Sequence, residues 1–206
     1  MTIRFHQGDL PNLDLYKDIG SVAVDTEALG LNNHRDRLCV VQLSPGDGSA
    51  DIVQIAKGQR EAPNLVALMA DDKITKIFHF ARFDVAILLK YLKVETHPVY
   101  CTKIASKLTR TYTDRHGLKD LVREFLDIDV SKQQQSSDWA AQKLSQAQLE
   151  YAASDVLHLH ALRKTLDERL AREQRSDMAK ACFDFIVWRA KLDLGGWPDT
   201  DIFSHS

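Results

Sequence analysis

Four acidic side chains and a tyrosine carry the chemistry legible in this chain. They are Asp25 and Glu27 in SVAVDTEALG, Asp84 in HFARFD, and Tyr151 with Asp155 in YAASD. The apolar run Ser21-Val22-Ala23-Val24 reads as a buried strand, and the first acidic pair stands at its end. Residues two apart on a strand point to one face, so Asp25 and Glu27 lie side by side. Like charges so placed repel, and burying them unpaired is costly. Divalent cations relieve that repulsion. Carboxylate oxygens with no nearby cysteine ligand suit Mg²⁺ or Mn²⁺.

Each piece alone has a plainer reading. An acidic pair at a strand end also suits a solvated edge. An aspartate in a first helical turn, as expected for Asp84, complements the helix dipole. A tyrosine in an apolar helix is ordinarily core. The spacing Tyr151-x-x-x-Asp155 puts both side chains on one helix face. It is the conjunction, in this order and in these contexts, that points to a metal-dependent site.

In these motifs the chain resembles the 3′→5′ exonucleases of the DEDD type. Asp25 and Glu27 match the first motif, Asp84 the second, and Asp155 the last acidic residue of the third. Tyr151 marks the tyrosine (DEDDy) subclass. The histidine subclass has His five residues before that aspartate, where this chain has Glu150. The stretch from Asp129 to Leu162 is similar to ribonuclease D, and the resemblance spans about Ser21 to Leu166. It implies an α/β, RNase H-like (DnaQ-type) fold: a mixed sheet flanked by helices, as one exonuclease domain over 1–206. It also implies two divalent metal ions, Mg²⁺ or Mn²⁺, held by Asp25, Glu27, Asp84 and Asp155. One ion activates the attacking water and the other stabilises the leaving 3′-oxygen. Tyr151 then orients that water. Whether it also takes the proton stays open, because an unperturbed tyrosine titrates near about 10 and is a poor base at neutral pH. The implied products are 5′-mononucleotides.

Composition narrows the partners. The 206 residues carry a net charge of −2, with 27% charged and 44% hydrophobic residues, an ordinary globular mixture. No apolar run reaches 18 residues, so no membrane span is expected. MTIRFHQGDLP lacks a signal-peptide core, which leads us to expect a cytoplasmic protein. Cys39, Cys101 and Cys182 read as reduced, buried thiols, with no CxxC to hold a metal. A protein that grips long nucleic acid carries a basic track, and none runs through this sequence. Local positive charge gathers at Lys103–Arg110 and at Arg115-His116-Gly117-Leu118-Lys119.

Ribonuclease D proper carries helical domains after its nuclease core, and about 50 residues follow Asp155 here. Length, and Leu31 six residues past Asp25, resemble the short diribonucleases of the nanoRNase C type. That resemblance implies short RNA as partner, dinucleotides above all, with DNA left open. Leu31 would wedge between the bases, and His79, Arg115, His116 and Lys119 are further candidate substrate contacts. It also implies a homo-oligomer, an octameric ring. The aromatic helix and tail at 177–206 are the candidate interface. Two alternatives stand beside this reading. One is a ribonuclease D-like processing exonuclease on longer RNA or DNA. The other is a non-catalytic RNA-binding scaffold.

The elements that must position these residues follow from pattern. Strands are expected at Ser21–Thr26, Leu38–Leu43, Ala50–Ile55, Lys76–His79 and Pro98–Cys101. Helices are expected at about Pro63–Ala70, Ala81–Leu92, Thr102–Thr109, Gly117–Phe125 and Gln146–Arg172, the last capped by Ser145. The polar stretch 127–139 reads as a loop.

Overall fold

The computed structural model describes residues 1–130, 133–134 and 136–205. Ser131, Lys132 and Gln135, within the polar stretch, and Ser206 lie outside the described residues. Six strands form one mixed sheet: β1 (Thr2–Gln7), β2 (Ser21–Ala28), β3 (Leu38–Ser44), β4 (Ser49–Gln54), β5 (Thr75–Phe78) and β6 (Val99–Cys101). Their order is β1-β4-β3-β2-β5-β6. β2, β3 and β4 pair antiparallel through the two hairpins, while β1 on β4 and β5 and β6 beyond β2 pair parallel. Seven helices complete the chain: α1 (Pro63–Ala70), α2 (Ala81–Leu92), α3 (Thr102–Thr109), α4 (Leu118–Leu126), α5 (Gln146–Leu157), α6 (Leu159–Arg172) and α7 (Ser176–Leu194).

The central strands are buried on both faces, with Val22, Val24, Val40, Val41, Leu43 and Ile52 all inaccessible. Such burial explains why their sequences are near-continuous apolar runs. α5 packs across β2, β3 and β4, and α2 packs on β3, β5, β6 and α7. β5 pairs with β2 only from Ser21↔Thr75 to Ala23↔Ile77. β2 therefore runs on to Ala28 supported by β3 alone, with Asp25, Thr26 and Glu27 beyond its pairing with β5. The pairing with β3 slips between Glu27 and Ala28, an irregularity of the kind that re-aims side chains near sites.

Two expectations are corrected. β1 was not expected, because its inward residues are Arg4 and His6 rather than apolar ones. Both bond to buried Asp51 on β4, as does Tyr16. The helix expected over 146–172 is two helices that meet at His158, whose backbone stays in the right-handed region but off the ideal helix (φ −100°, ψ −7°). Ser145 caps α5 as expected: its Oγ accepts from Gln148 N at 3.2 Å, and Gln148 Oε1 accepts from Ser145 N at 2.9 Å. Cys39 and Cys101 are buried free thiols, while Cys182 is only half-buried. Among the described residues no helix is long and apolar enough to cross a membrane.

Candidate active site

β2 delivers Asp25 and Glu27, α5 delivers Tyr151 and Asp155, and the first turn of α2 delivers Asp84. One carboxylate oxygen each from Asp25, Glu27 and Asp155 lies within 4.8 Å of the others. Among the described residues this is the one group of three or more His, Cys, Asp or Glu side chains so spaced. Asp84, 3% exposed, stands outside the trio, and its Oδ1 accepts from Thr26 Oγ1 at 2.6 Å. On the other side of β2, Gln42 of β3 stands opposite Asp25 and donates from Nε2 to its Oδ2 at 3.2 Å.

These carboxyl groups hold their protons far above the ordinary carboxylate range. Burial is the main cause for each. Asp25 is raised well above its usual value by burial and then by the charges of Asp84, Asp155 and Glu27. Burial, with Asp155 and Asp84 adding, pushes Glu27 up to about 9. Asp84 rises to about 7 through burial, against the opposing hydrogen bond from Thr26. Burial also takes Asp155 to about 7, opposed by its hydrogen bond with Tyr151. Such a site is costly to ionise by itself. Its donor set is all oxygen and, once ionised, strongly negative, which fits a hard divalent cation. Tyr151 is raised above its ordinary value by burial and by the acidic neighbours, so its hydroxyl stays protonated. Its ring packs on Trp139, with centroids 6.0 Å apart.

The five side chains open into a cleft of about 640 Å³ that Leu31, His79 and Lys119 also line. Leu31 is 87% exposed on a loop that is firmly braced. Lys90 Nζ donates to the carbonyls of Asn33 (2.6 Å) and His34 (2.7 Å), and Asp36 accepts from Asn32 N at 3.0 Å. His79 is a neutral post. Burial, then Lys103, lowers it to about 3, and its Nδ1 sits 2.9 Å from Thr102 Oγ1. Arg115 and His116 are not among the lining residues. His116 Nδ1 is 2.9 Å from Ser106 Oγ of α3.

Sequence reasoning missed Thr26, Phe80 and Trp139 as lining residues and marked Lys103 only within a basic stretch. Lys103 belongs to a basic stretch visible in the sequence, and its Nζ lies 4.4 Å from the Phe80 ring centroid. Phe80 adopts a left-handed backbone (φ +71°) at the start of α2, which nothing in its residue type announces. Trp139 is buried, and its indole N–H has no partner among the described residues.

A mixed sheet with an acidic site at the end of its central strand defines an exonuclease fold of the ribonuclease D kind. The comparisons agree. The 3′-5′ exonuclease family matches residues 12–171. The chain is 36% identical over 154 residues to ribonuclease D of Granulibacter bethesdensis, covering 75% of this chain and 38% of that one. It thus spans well under half the length of the curated relatives it matches. Escherichia coli RNase D, 23% identical over 84% of this chain and 45% of its own, shares the fold with a TM-score of 0.75. The chain belongs to the 3′-5′ exonuclease family. Within it, the full chain is similar to the full chain of Brucella melitensis NrnC. A structure of that protein with bound Mg²⁺ is 63% identical with a TM-score of 0.96. Another, bound to pGG, is 64% identical with a TM-score of 0.97.

Proposed function

We propose that this chain is a metal-dependent 3′-5′ exoribonuclease that releases 5′-mononucleotides and prefers 5′-phosphorylated dinucleotides and very short oligonucleotides. One observation carries the reading. The acidic trio, Asp84 and Tyr151 converge on one cleft in a chain 64% identical to a relative solved with pGG. Asp25, Glu27 and Asp155 hold the main cation, and Asp84 helps to hold a second. When bound, the cations supply the Lewis acidity that activates water and stabilises the leaving oxygen. Tyr151, kept protonated with its hydroxyl hydrogen given to Asp155, orients the attacking water through its oxygen rather than removing a proton. Leu31 inserts between the two bases. Lys103 and Lys119 supply positive charge to the substrate phosphates from the cleft wall.

The test is a time course on 5′-labelled RNA and DNA of two to about twenty units, with Mg²⁺, Mn²⁺ or EDTA. Mononucleotide release from dinucleotides, lost in EDTA, supports the proposal. The likeness to ribonuclease D favours a second reading, a processing exonuclease on longer RNA. Equal or faster cleavage of the longest substrates would establish that reading instead. No release at all would leave a binding scaffold.

A further inference from the structure

Asp84 is the site carboxylate that reaches the cleft from α2, the helix that follows β5. Its geometry relative to the trio therefore depends on how α2 is held against β2. Thr26 lies between Asp25 and Glu27, and strand alternation sends its side chain to the opposite face. There it is 6% exposed, and its Oγ1 donates to Asp84 Oδ1 at 2.6 Å. A hydroxyl bonded to a carboxylate at this length is a strong, directional contact. It joins the strand that carries two of the acidic residues to the helix that carries another.

We propose that Thr26 is a positioning residue for the metal site. Its hydroxyl holds Asp84 Oδ1, beside the backbone N–H bonds that the carboxylate takes from Asp84 and Thr26. This fixes the placement of Asp84 relative to Asp25, Glu27 and Asp155. The inference rests on the metal-dependent reading above and adds a residue that acts through Asp84. Groups that orient metal ligands typically change metal affinity or activity by about 10–100-fold when removed.

The test uses the full chain. Thr26→Val keeps the branched shape and removes the hydroxyl, and Thr26→Ser keeps the hydroxyl. Mn²⁺ binding is measured by titration calorimetry, alongside kcat and KM on a 5′-phosphorylated dinucleotide. T26V should weaken Mn²⁺ binding by roughly 10–100-fold and lower kcat with little change in KM. T26S should restore both within a few-fold. In an Asp84→Asn background T26V should change Mn²⁺ affinity no further, because it acts through Asp84. If T26V does not fold, the pair T26A and T26S poses the same question. Wild-type Mn²⁺ affinity in the variant lacking the hydroxyl would overturn the proposal, as would an undiminished loss in the D84N background. Should the wild-type protein hydrolyse no oligonucleotide, the proposed activity falls, while the calorimetry still decides the role of Thr26.

Discussion

At the scale of single residues, the site is a set of acids stabilised in their protonated form until something neutralises them. In the unfolded chain such carboxyl groups titrate near about 4. In the folded, metal-free protein Asp84 and Asp155 hold protons to about 7 and Glu27 to about 9. Between those limits the folded state binds more protons than the unfolded state, so stability falls as pH rises. His79, His116, His158 and His160, all lowered mainly by burial, add the opposite slope below about pH 7. The melting temperature in EDTA is therefore expected to drop from about pH 7 to pH 8, where Asp25 and Glu27 still release protons. Asp25→Asn should flatten the drop by removing one repelling charge, and a flat wild-type profile would count against the cluster as described. The window stops at pH 8 because buried Lys76, lowered to about 8 mainly by burial, contributes the opposite slope above it. Loss of a cation ligand through Asp25→Ala, Glu27→Ala, Asp84→Ala or Asp155→Ala should remove most activity while the fold persists. Tyr151→Phe keeps the ring on Trp139 and deletes the hydroxyl. Turnover should fall by about 10²-fold with substrate binding little changed, the size expected of a positioning group. Wild-type turnover in that variant would reduce Tyr151 to packing.

At the scale of elements, the strand β2, the helices α1, α2 and α3, and the cap of α5 were legible because local signals and burial agree. Pro63 fits a first helical turn, and Val85, Leu88, Leu89 and Leu92 recur at helical spacing. What escaped reading depends on contacts distant in sequence. β1 turns Arg4 and His6 inward, which only makes sense once Asp51, 47 residues beyond Arg4, is beside it. The junction at His158 carries no proline or glycine to mark it. Arg115 and His116 lie in a basic run whose cleft-facing member is Lys119, a matter of loop path rather than residue type. Asp51 offers a direct test of how the edge strand is held. Its carboxylate accepts from Arg4 Nε and Nη2 and from His6 Nε2 at 2.7–2.8 Å, and from Tyr16 Oη at 2.5 Å. Burial alone would raise its pKa, yet the hydrogen bonds from Arg4, Tyr16 and His6 bring it below the ordinary value. Asp51→Ala strands buried donors and should cost about 3 kcal/mol in denaturant unfolding. A loss below about 0.5 kcal/mol would mean that the network contributes little. The loop of Leu31 offers a second test. A Cβ at Gly30 would lie 2.3 Å from Asp36 Oδ2 and 2.9 Å from its Cγ. Gly30→Ala must shift the loop, so KM for a dinucleotide should rise several-fold while Mn²⁺ affinity stays at the wild-type value. An unchanged KM would separate Leu31 from substrate.

At the scale of the whole molecule, α7 divides the aromatic C-terminal segment between core and surface. Phe183 stacks on Tyr100 with centroids 4.6 Å apart and Ile186 is buried, so these two are committed to the core. Trp188 remains 59% exposed and Phe203, resting on Phe185, 79%. Exposed large aromatic residues suit an interface, and we propose a closed homo-oligomer through this C-terminal segment, a ring of eight as the family resemblance implies. Light scattering at micromolar concentration should give a mass several times the 23.3 kDa of one chain, reduced by Trp188→Glu. A sharp monomer in the wild type would refute it. The same scale sets substrate length. A general exonuclease gains affinity from each added phosphate through a basic track. This chain has a net charge of −2, and among the described residues the lysines that line its cleft are Lys103 and Lys119. A site with so few cations saturates its phosphate contacts on a short ligand, and further nucleotides add ordering cost without added attraction. A 5′-phosphate captured by a lysine acts as a ruler that sets the scissile bond against the carboxylates. The 5′-phosphorylated dinucleotide should therefore be cleaved faster per enzyme than seven-unit RNA, and removing the 5′-phosphate should raise KM. Lys103→Ala or Lys119→Ala should erode that preference more than basal cleavage. A larger effect from Arg115→Ala than from either lysine would place the phosphate contact on the loop outside the cleft. Faster cleavage of long RNA with no dependence on the 5′-phosphate would reject the ruler altogether.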